Sequence, residues 1–241
     1  MKYAVQLYSL REYGAKHGLR AILELAARAG YEGVEFAGYY GHTPEQVAEM
    51  LKELKLTAVS AHVGPDAYRA DFAGEVAYLK ALEIRLPVVP CSSREQLCDG
   101  TMAAQLAWAR TELEKEGIGL GYHNHYQELD TDVDYLERLT REIPGLKLEL
   151  DVFWARVAGR DPVALMKQYG ERLALVHVKE LGPEGAEGVN PVLGEGVVGI
   201  PAVVAQAKEQ GIPWLILEVE RYPIPEEEYL VRSLEALKGM N

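Results

Sequence analysis

The sequence predicts a single (β/α)8 barrel over residues 1–241, and two observations carry this prediction. Eight short β-rich runs alternate with longer runs of helical periodicity, and no Ser-rich or Gly-rich linker separates the two halves of the chain. The length of 241 residues is close to the ~250 residues typical of such a barrel, which folds as one unit. Eight strand–helix units with no spare strand favour a closed barrel over an open doubly wound sheet.

The predicted strands are residues 3–7, 33–36, 57–61, 87–90, 119–123, 147–151, 174–178 and 214–219. Between them, apolar residues recur every three or four positions, which is the spacing of an amphipathic helix. Thr43-Pro44 and Asp161-Pro162 each place a capping side chain before a proline at the first helical position. Gly30 follows a helical run and precedes a strand, as a left-handed helix end does.

Composition excludes several classes of protein. The net charge of −12 argues against nucleic acid as a partner, because nonspecific affinity for phosphate backbones comes from Lys and Arg. No apolar run approaches the ~20 residues of a membrane span, so we expect no membrane partner. Cys91 and Cys98 lack metal-binding spacing and are expected to be reduced thiols without a chemical role. Residues 1–7 predict a strand instead of a leader segment, so we expect a cytoplasmic location.

Polar side chains end seven of the eight predicted strands. Residues two apart share a face of a strand, so an occasional polar residue among apolar ones can be assigned to the barrel interior. Active sites of such barrels lie at the carboxyl ends of the strands, and we therefore expect an active site here. The pairs that share a face are Ser60 and His62, His123 and His125, Glu149 and Asp151, His177 and Lys179, and Glu218 and Glu220, with Gln6 and Glu35 as single polar residues.

Asp151, His177 and Glu218 are the strongest candidates for a metal site. Charged groups that are buried close together repel each other unless a cation lies between them. Oxygen-rich ligation with one imidazole suits Mn²⁺, Mg²⁺, Co²⁺ or Zn²⁺ and does not distinguish among them. The sequence thus predicts one divalent metal ion at the carboxyl ends of the later strands.

Other strand-end residues also fit structural roles. His62 taken alone suits a hydrogen-bonded core histidine. Glu149 is expected to form a buried ion pair with Lys147 or Lys179 instead of contacting a substrate. Glu220 suits a solvent-exposed position as well as a site position.

Five segments of the chain resemble the sugar phosphate isomerase/epimerase family of xylose isomerase-like TIM barrels, over essentially the whole length. Residues 121–128, GYHNHYQE, look like its HNHxxE segment, and residues 148–151, LELD, look like its sixth strand. Residues 177–180, HVKE, look like its HxKD motif, with Glu180 where many relatives have aspartate. Residues 217–220, LEVE, look like the end of its eighth strand, and residues 193–196, LGEG, look like its LGxG turn.

The resemblance implies that Glu128, Asp151, His177 and Glu218 bind the metal, and that Glu128 and Glu218 also transfer protons. One of these assignments has a competitor. In related epimerases the fifth-strand glutamate lies on the strand itself, at a position that corresponds here to about His123. His123 is therefore an alternative first ligand, with Glu128 then contacting the substrate or another ligand.

The leading functional hypothesis is a metal-dependent isomerase or epimerase that acts on a small sugar-like substrate through an enediolate. The metal polarises a carbonyl oxygen while the two glutamates remove and return a proton. The residues expected to bind the substrate are Gln6, Glu35, His62, His123, His125 and Lys179.

Three alternatives stay open. A lyase of the inosose or dehydroshikimate dehydratase type would use the same enediolate, with His123 or His125 as the general acid. A non-catalytic sugar-binding barrel would keep the pocket without turnover. A DNA-repair endonuclease of the superfamily is disfavoured, because only six histidines are present and the chain is acidic. The state of assembly, monomer or homo-oligomer, is also open.

Overall fold

The computed structural model describes residues 1–130 and 132–240, and within them eight strands alternate with helices. The strands are β1 Lys2–Gln6, β2 Gly33–Phe36, β3 Thr57–Ala61, β4 Val88–Pro90, β5 Gly121–His123, β6 Lys147–Asp151, β7 Leu173–Val178 and β8 Trp214–Leu217. The helices are α1 Arg11–Ala29, α2 Pro44–Leu54, α3 Pro65–Ala70, α4 Phe72–Ala81, α5 Arg94–Cys98, α6 Thr101–Lys115, α7 Tyr135–Glu142, α8 Val152–Val157, α9 Pro162–Tyr169, α10 Ile200–Glu209 and α11 Glu226–Met240. Short 3-10 helices cover Leu7–Leu10 and Gly170–Arg172.

All strand pairs are parallel, and the strand order is β3-β2-β1-β8-β7-β6-β5-β4. The ends of this sheet meet between β3 and β4 through one isolated bridge that pairs His62 with Val88. The Ser60 hydroxyl reinforces this seam by donating to the Leu86 carbonyl at 2.8 Å. The chain is therefore a nearly closed (β/α)8 barrel, which confirms the predicted fold class.

The predicted strand positions agree with the observed ones because the β-rich runs are short and well separated. β2, β3 and β6 have the predicted bounds, and the other five differ by a few residues at their ends. The helix starts also follow the prediction. Thr43 and Gln46 form a reciprocal capping box, and Asp161 accepts the backbone N–H of Val163 at 2.9 Å. Gly30 ends α1 with a left-handed φ of 93°.

The floor of the barrel is apolar and small. It consists of one inward-facing side chain from each of four strands, Ala4, Val88, Leu175 and Ile216, all buried. Two residues further along the chain, on the same face, lie Gln6 of β1, His177 of β7 and Glu218 directly after β8. The period of two along each strand thus places a polar layer directly above the apolar floor.

The outward faces of the strands pack against the helices. Leu148 and Leu150 of β6 are fully buried in this layer, so Glu149 and Asp151 point into the barrel as the alternation predicts. At Gly33 of β2 a side chain would lie 2.7 Å from Val59 Cγ2, so only glycine fits there. Over the described ranges, no helix combines the length and the apolar character needed to cross a membrane.

Candidate active site

Four side chains at the carboxyl ends of β5, β6, β7 and β8 converge on one point. Each offers one ligand atom, and these atoms all lie within 4.8 Å of one another: His123, Asp151, His177 and Glu218. All four residues are buried. We call this set the outer cluster.

Asp151 directs one carboxylate oxygen to the backbone and the other to the outer cluster. Its Oδ1 accepts the N–H groups of Phe153 at 2.8 Å and Trp154 at 3.0 Å, and thereby caps the start of α8. Its Oδ2 is buried and has no hydrogen-bond partner among the described residues. Burial raises the pKa of Asp151 to about 7 although the Lys179 ammonium opposes the shift. A buried oxygen without a partner is costly, so this atom is suited to bind a cation.

His177 connects two carboxylates through its two ring nitrogens. Its Nδ1 lies 2.7 Å from Glu218 Oε2, and its Nε2 lies 2.6 Å from Glu35 Oε2. The Gln6 amide donates to the same Glu35 oxygen at 2.8 Å. The ring is therefore held by a carboxylate behind it, an arrangement that fixes which nitrogen of a ligand histidine faces a metal.

A second group, the inner cluster, lies beside the outer one and comprises His62, His123, Glu149 and His177. Glu149 Oε2 is its centre, at 2.7 Å from His62 Nε2, 3.2 Å from His177 Nε2 and 3.3 Å from His123 Nδ1. The burial of Glu149 raises its pKa, but the surrounding histidines outweigh this effect and hold the pKa well below its usual value. Glu149 is therefore an ionised carboxylate that is hydrogen-bonded to His62 and lies close to the imidazoles of His123 and His177.

The prediction that Glu149 pairs with Lys147 or Lys179 is wrong. The Lys147 ammonium instead donates to the Glu171 carbonyl at 3.0 Å. Lys179 is fully buried, forms an ion pair with Glu220 and lies 3.8 Å from Glu218 Oε1. Its neighbours are instead the imidazoles of His62, His123 and His177, at the ends of β3, β5 and β7, which the spacing of residues in the sequence did not reveal.

Two members of the outer cluster, His123 and Glu218, have ionisation states that suit a cation. Burial lowers the pKa of His123 to about 3, so its imidazole is neutral and can act as a ligand. Burial would raise the pKa of Glu218, but Lys179 and His177 outweigh it and hold that pKa well below its usual value. Glu218 is therefore a carboxylate at neutral pH.

A cavity of about 550 Å³ opens above the two clusters. Its lining residues are Gln6, Tyr8, Arg11, Ala37, His62, Pro90, Cys91, His123, His125, Trp154, Glu218 and Glu220. Four of the six predicted substrate contacts thus line the cavity, whereas Glu35 and Lys179 lie behind it. Arg11 and Cys91 were not predicted, because the residues after β1 and β4 follow no strand alternation.

Comparison with known proteins places the fold in a family. The family model described as xylose isomerase-like TIM barrel matches residues 23–240. The chain belongs to this family. A search of curated proteins finds no match.

Three solved structures illustrate the relationship of this xylose isomerase-like barrel to known folds. A sugar phosphate isomerase/epimerase from Parabacteroides distasonis is 19% identical, with a TM-score of 0.80, and the alignment covers 98% of this chain and 97% of that one. The probable 3-DHS dehydratase AsbF from Bacillus anthracis is 15% identical, with a TM-score of 0.79 and full coverage of both chains. The zinc-bound IOLI protein is 16% identical, with a TM-score of 0.79, and the alignment covers 100% of this chain and 98% of that one. At these identities the likeness shows the fold alone.

The carboxylate of Glu128 is held by hydrogen bonds within this xylose isomerase-like barrel. Its Oε1 accepts the Tyr122 hydroxyl at 2.6 Å and the Ser92 N–H at 3.0 Å, and its Oε2 accepts the His125 N–H at 3.0 Å. Both oxygens are therefore engaged, and Glu128 neither joins a cluster nor lines the cavity. The structure brings His123 to the outer cluster in its place.

The other residues of the same segment also organise the site. Asn124 Oδ1 accepts the Asp151 N–H at 3.0 Å, and so holds the end of β6 against β5. His125 stacks on Trp154 with ring centroids 4.6 Å apart. Burial lowers the pKa of His125 to about 4, so a neutral imidazole faces the cavity.

Glu180 shapes the long loop after β7 instead of contacting the cavity. Its carboxylate accepts the N–H groups of Leu181 at 3.2 Å, Gly194 at 3.0 Å and Val198 at 2.8 Å. A side chain at Gly196 would fall inside van der Waals contact distance of both Glu180 Cγ and the Leu181 carbonyl. The LGxG turn is thus wrapped around a buried carboxylate, which explains the need for an acidic residue at 180.

Proposed function

We propose that this chain is a metal-dependent isomerase or epimerase that moves a proton beside the carbonyl of a small sugar-like substrate. The observation that supports this proposal is the outer cluster at the base of a cavity large enough for such a substrate. Family membership supports it independently, since the xylose isomerase-like barrels include a structure described as a sugar phosphate isomerase/epimerase.

We assign the divalent cation to His123, Asp151, His177 and Glu218. Two carboxylates and two imidazoles form a donor set suited to Mn²⁺, Co²⁺ or Zn²⁺, and the unpartnered Asp151 Oδ2 fits it. This assignment replaces Glu128 with His123. The chemistry that such a cation supplies is stabilisation of negative charge beside a carbonyl oxygen.

Glu218 is the proposed base. It is ionised, lines the cavity and is held by His177 and Lys179, so a carboxylate in a fixed position borders the space for the substrate. We do not assign Glu128 as the second proton-transfer group, because both of its oxygens accept hydrogen bonds and it does not line the cavity. His125, on the β5 side of the cavity, is the proposed second group in an epimerisation: while Glu218 keeps the proton that it removes, the neutral imidazole of His125 takes up a proton from solvent and delivers it to the other face of the carbon.

The test is proton exchange with solvent. The protein loaded with Mn²⁺ is incubated in D2O with a panel of keto-sugars, and deuterium at carbon is followed by NMR. We expect incorporation with at least one substrate, and its loss in Glu218→Gln. If no substrate exchanges although metal is bound, the proposal is wrong.

A dehydratase is the second candidate. The structural likeness to the probable 3-DHS dehydratase and the imidazole of His125 beside Glu218 in the same cavity both favour it. Expulsion of a β-hydroxyl as water would create an enone, which absorbs in the ultraviolet. An enone in the same assay supports elimination, whereas a product of unchanged mass supports isomerisation; ligand binding without either would indicate a sugar-binding barrel.

A further inference from the structure

Arg11 is the single arginine or lysine among the residues that line the cavity. Lys179, the other cation near the site, is fully buried, is paired with Glu220 and does not line the cavity. The other charged residues that line the cavity are the acids Glu218 and Glu220. The Glu218 carboxylate pairs with His177, and the Glu220 carboxylate pairs with Lys179. Away from the imidazoles and the proposed cation site at the base of the cavity, an anionic part of a ligand would therefore find a positive partner only at Arg11.

Arg11 is held in place by neutral groups. Its Nη1 donates to the Tyr8 carbonyl at 3.0 Å, and its Nη2 donates to the Glu220 carbonyl at 3.1 Å. Its guanidinium also lies over the Tyr8 ring at 4.3 Å from the centroid. These contacts fix the loop after β1 to the loop after β8 and orient the guanidinium before any ligand arrives.

The charge of Arg11 is not neutralised within the protein. In the chain apart from residues 131 and 241, no carboxylate forms an ion pair with it, since both hydrogen-bond acceptors are backbone carbonyls. A guanidinium carries five N–H donors, and two anchoring bonds leave others free. Tyr8 beneath it is 47% exposed, so the pair lies at the open side of the cavity.

We propose that Arg11 binds an anionic substituent of the substrate, a phosphoryl or carboxylate group carried away from the reacting carbonyl. A preorganised guanidinium recognises either oxyanion through charge-assisted, paired hydrogen bonds. The inference rests on the proposed function only in taking this cavity as the substrate site. It defines the substrate class as an acidic sugar derivative.

The experiment compares three ligands that differ at one carbon. D-fructose, D-fructose 6-phosphate and D-fructuronate carry a hydroxymethyl, a phosphoryl-bearing and a carboxylate group at carbon 6, so the two charged arms separate phosphate from carboxylate recognition. Binding to metal-free protein is measured by calorimetry, which makes the result independent of turnover. We expect at least one charged ligand to bind roughly tenfold to a hundredfold more tightly than D-fructose.

Variants identify the residue responsible. Arg11→Gln should abolish the preference for the charged ligand while D-fructose affinity stays unchanged, and Arg11→Lys should retain part of the preference. Arg221→Gln is the matched control, because this arginine lines the neighbouring groove together with Arg11 but does not line the cavity and contacts Glu187 instead. Its preference should equal that of the wild-type protein.

Three results would overturn the proposal: no preference for either anion in the wild-type protein, an unchanged preference in Arg11→Gln, or an equal loss of affinity for charged and neutral ligands in that variant. The last outcome would show that Arg11 only fastens the two loops together. Failure of the proposed function is seen separately, as absence of deuterium exchange. An Arg11-dependent preference without exchange would keep this inference and reject the isomerase.

Discussion

Replacing Glu149 by glutamine should weaken metal binding although Glu149 is not assigned as a ligand. Its Oε2 lies 2.7 to 3.3 Å from nitrogens of His62, His177 and His123, the last two of which belong to the outer cluster. With a cation in the proposed site, the carboxylate would hold one nitrogen of each of these two rings and increase the basicity of the nitrogen left to bind the cation. Loss of such a partner typically lowers metal affinity ~10–100-fold, or ~1.4–2.7 kcal/mol.

The assay is competition of the protein with a chelator for Mn²⁺, with the absorption spectrum of the Co²⁺ form as a second measurement. Ser60→Ala is the control, because this buried hydroxyl donates to the Leu86 carbonyl near the same part of the barrel without contacting either cluster. The control should bind metal as the wild-type protein does. Wild-type affinity in Glu149→Gln, or an equal loss in the control, would refute the positioning role.

Three further predictions concern pH and loop structure. Burial raises the pKa of Asp151 to about 7 from 3.8, so the stability that its protonated form contributes to the metal-free protein is present below pH 3.8 and is lost as the pH rises through 7. The affinity for the metal should rise over the same interval, because the carboxyl group must lose its proton to bind a cation. Calorimetry between pH 5 and 8 measures this rise. Glu128→Gln should lower the free energy of unfolding in urea by about 1–3 kcal/mol, since the amide leaves a buried donor unsatisfied, and it should keep one bound metal; loss of the metal would restore Glu128 as a ligand. Gly196→Ala should lower the free energy of unfolding by about 1–3 kcal/mol in the same measurement, because the added methyl group forces Glu180 away from the backbone N–H groups that donate to it. Unchanged stability would contradict the close packing of that turn.

The strands and the interior positions were predictable because they depend on local patterns. Alternation along β6 alone assigns Leu148 and Leu150 to the helix layer and Asp151 to the interior, and the structure agrees. Parallel strands then bring their carboxyl ends together whatever the loops do. For this reason Asp151, His177 and Glu218 could be assigned to a common site before any coordinates were known.

The member of the outer cluster from the fifth strand was less predictable, because the choice between His123 and Glu128 depends on the path of a loop. His123 is the last residue of β5, and its direction follows from the strand, whereas Glu128 lies five residues further along in irregular structure. Its orientation is set by the Ser92 N–H, donated from the segment after β4. A motif match could identify the segment but not which of its polar side chains turns inward.

Long-range partners of buried charges were also beyond local patterns. Glu149 has lysines nearby in sequence or on the next strand, yet imidazoles from three other strands surround it. Arg11 escaped notice because a single arginine after a strand resembles many solvent-exposed arginines. Its significance depends on two carbonyls that are separated from each other by more than two hundred positions in the chain.

Because its two oxygens have different partners, the carboxylate of Asp151 would make the two proposed binding events, of cation and of substrate, interdependent. One oxygen is available to the cation, and the other fixes the first turn of α8, which carries Trp154 into the cavity wall. Any shift of the carboxylate on metal binding is therefore transmitted through one hydrogen bond to the surface that a ligand touches. Such coupling is reciprocal, so a ligand that packs on Trp154 should change the dissociation constant of the metal by the same factor by which the metal changes that of the ligand.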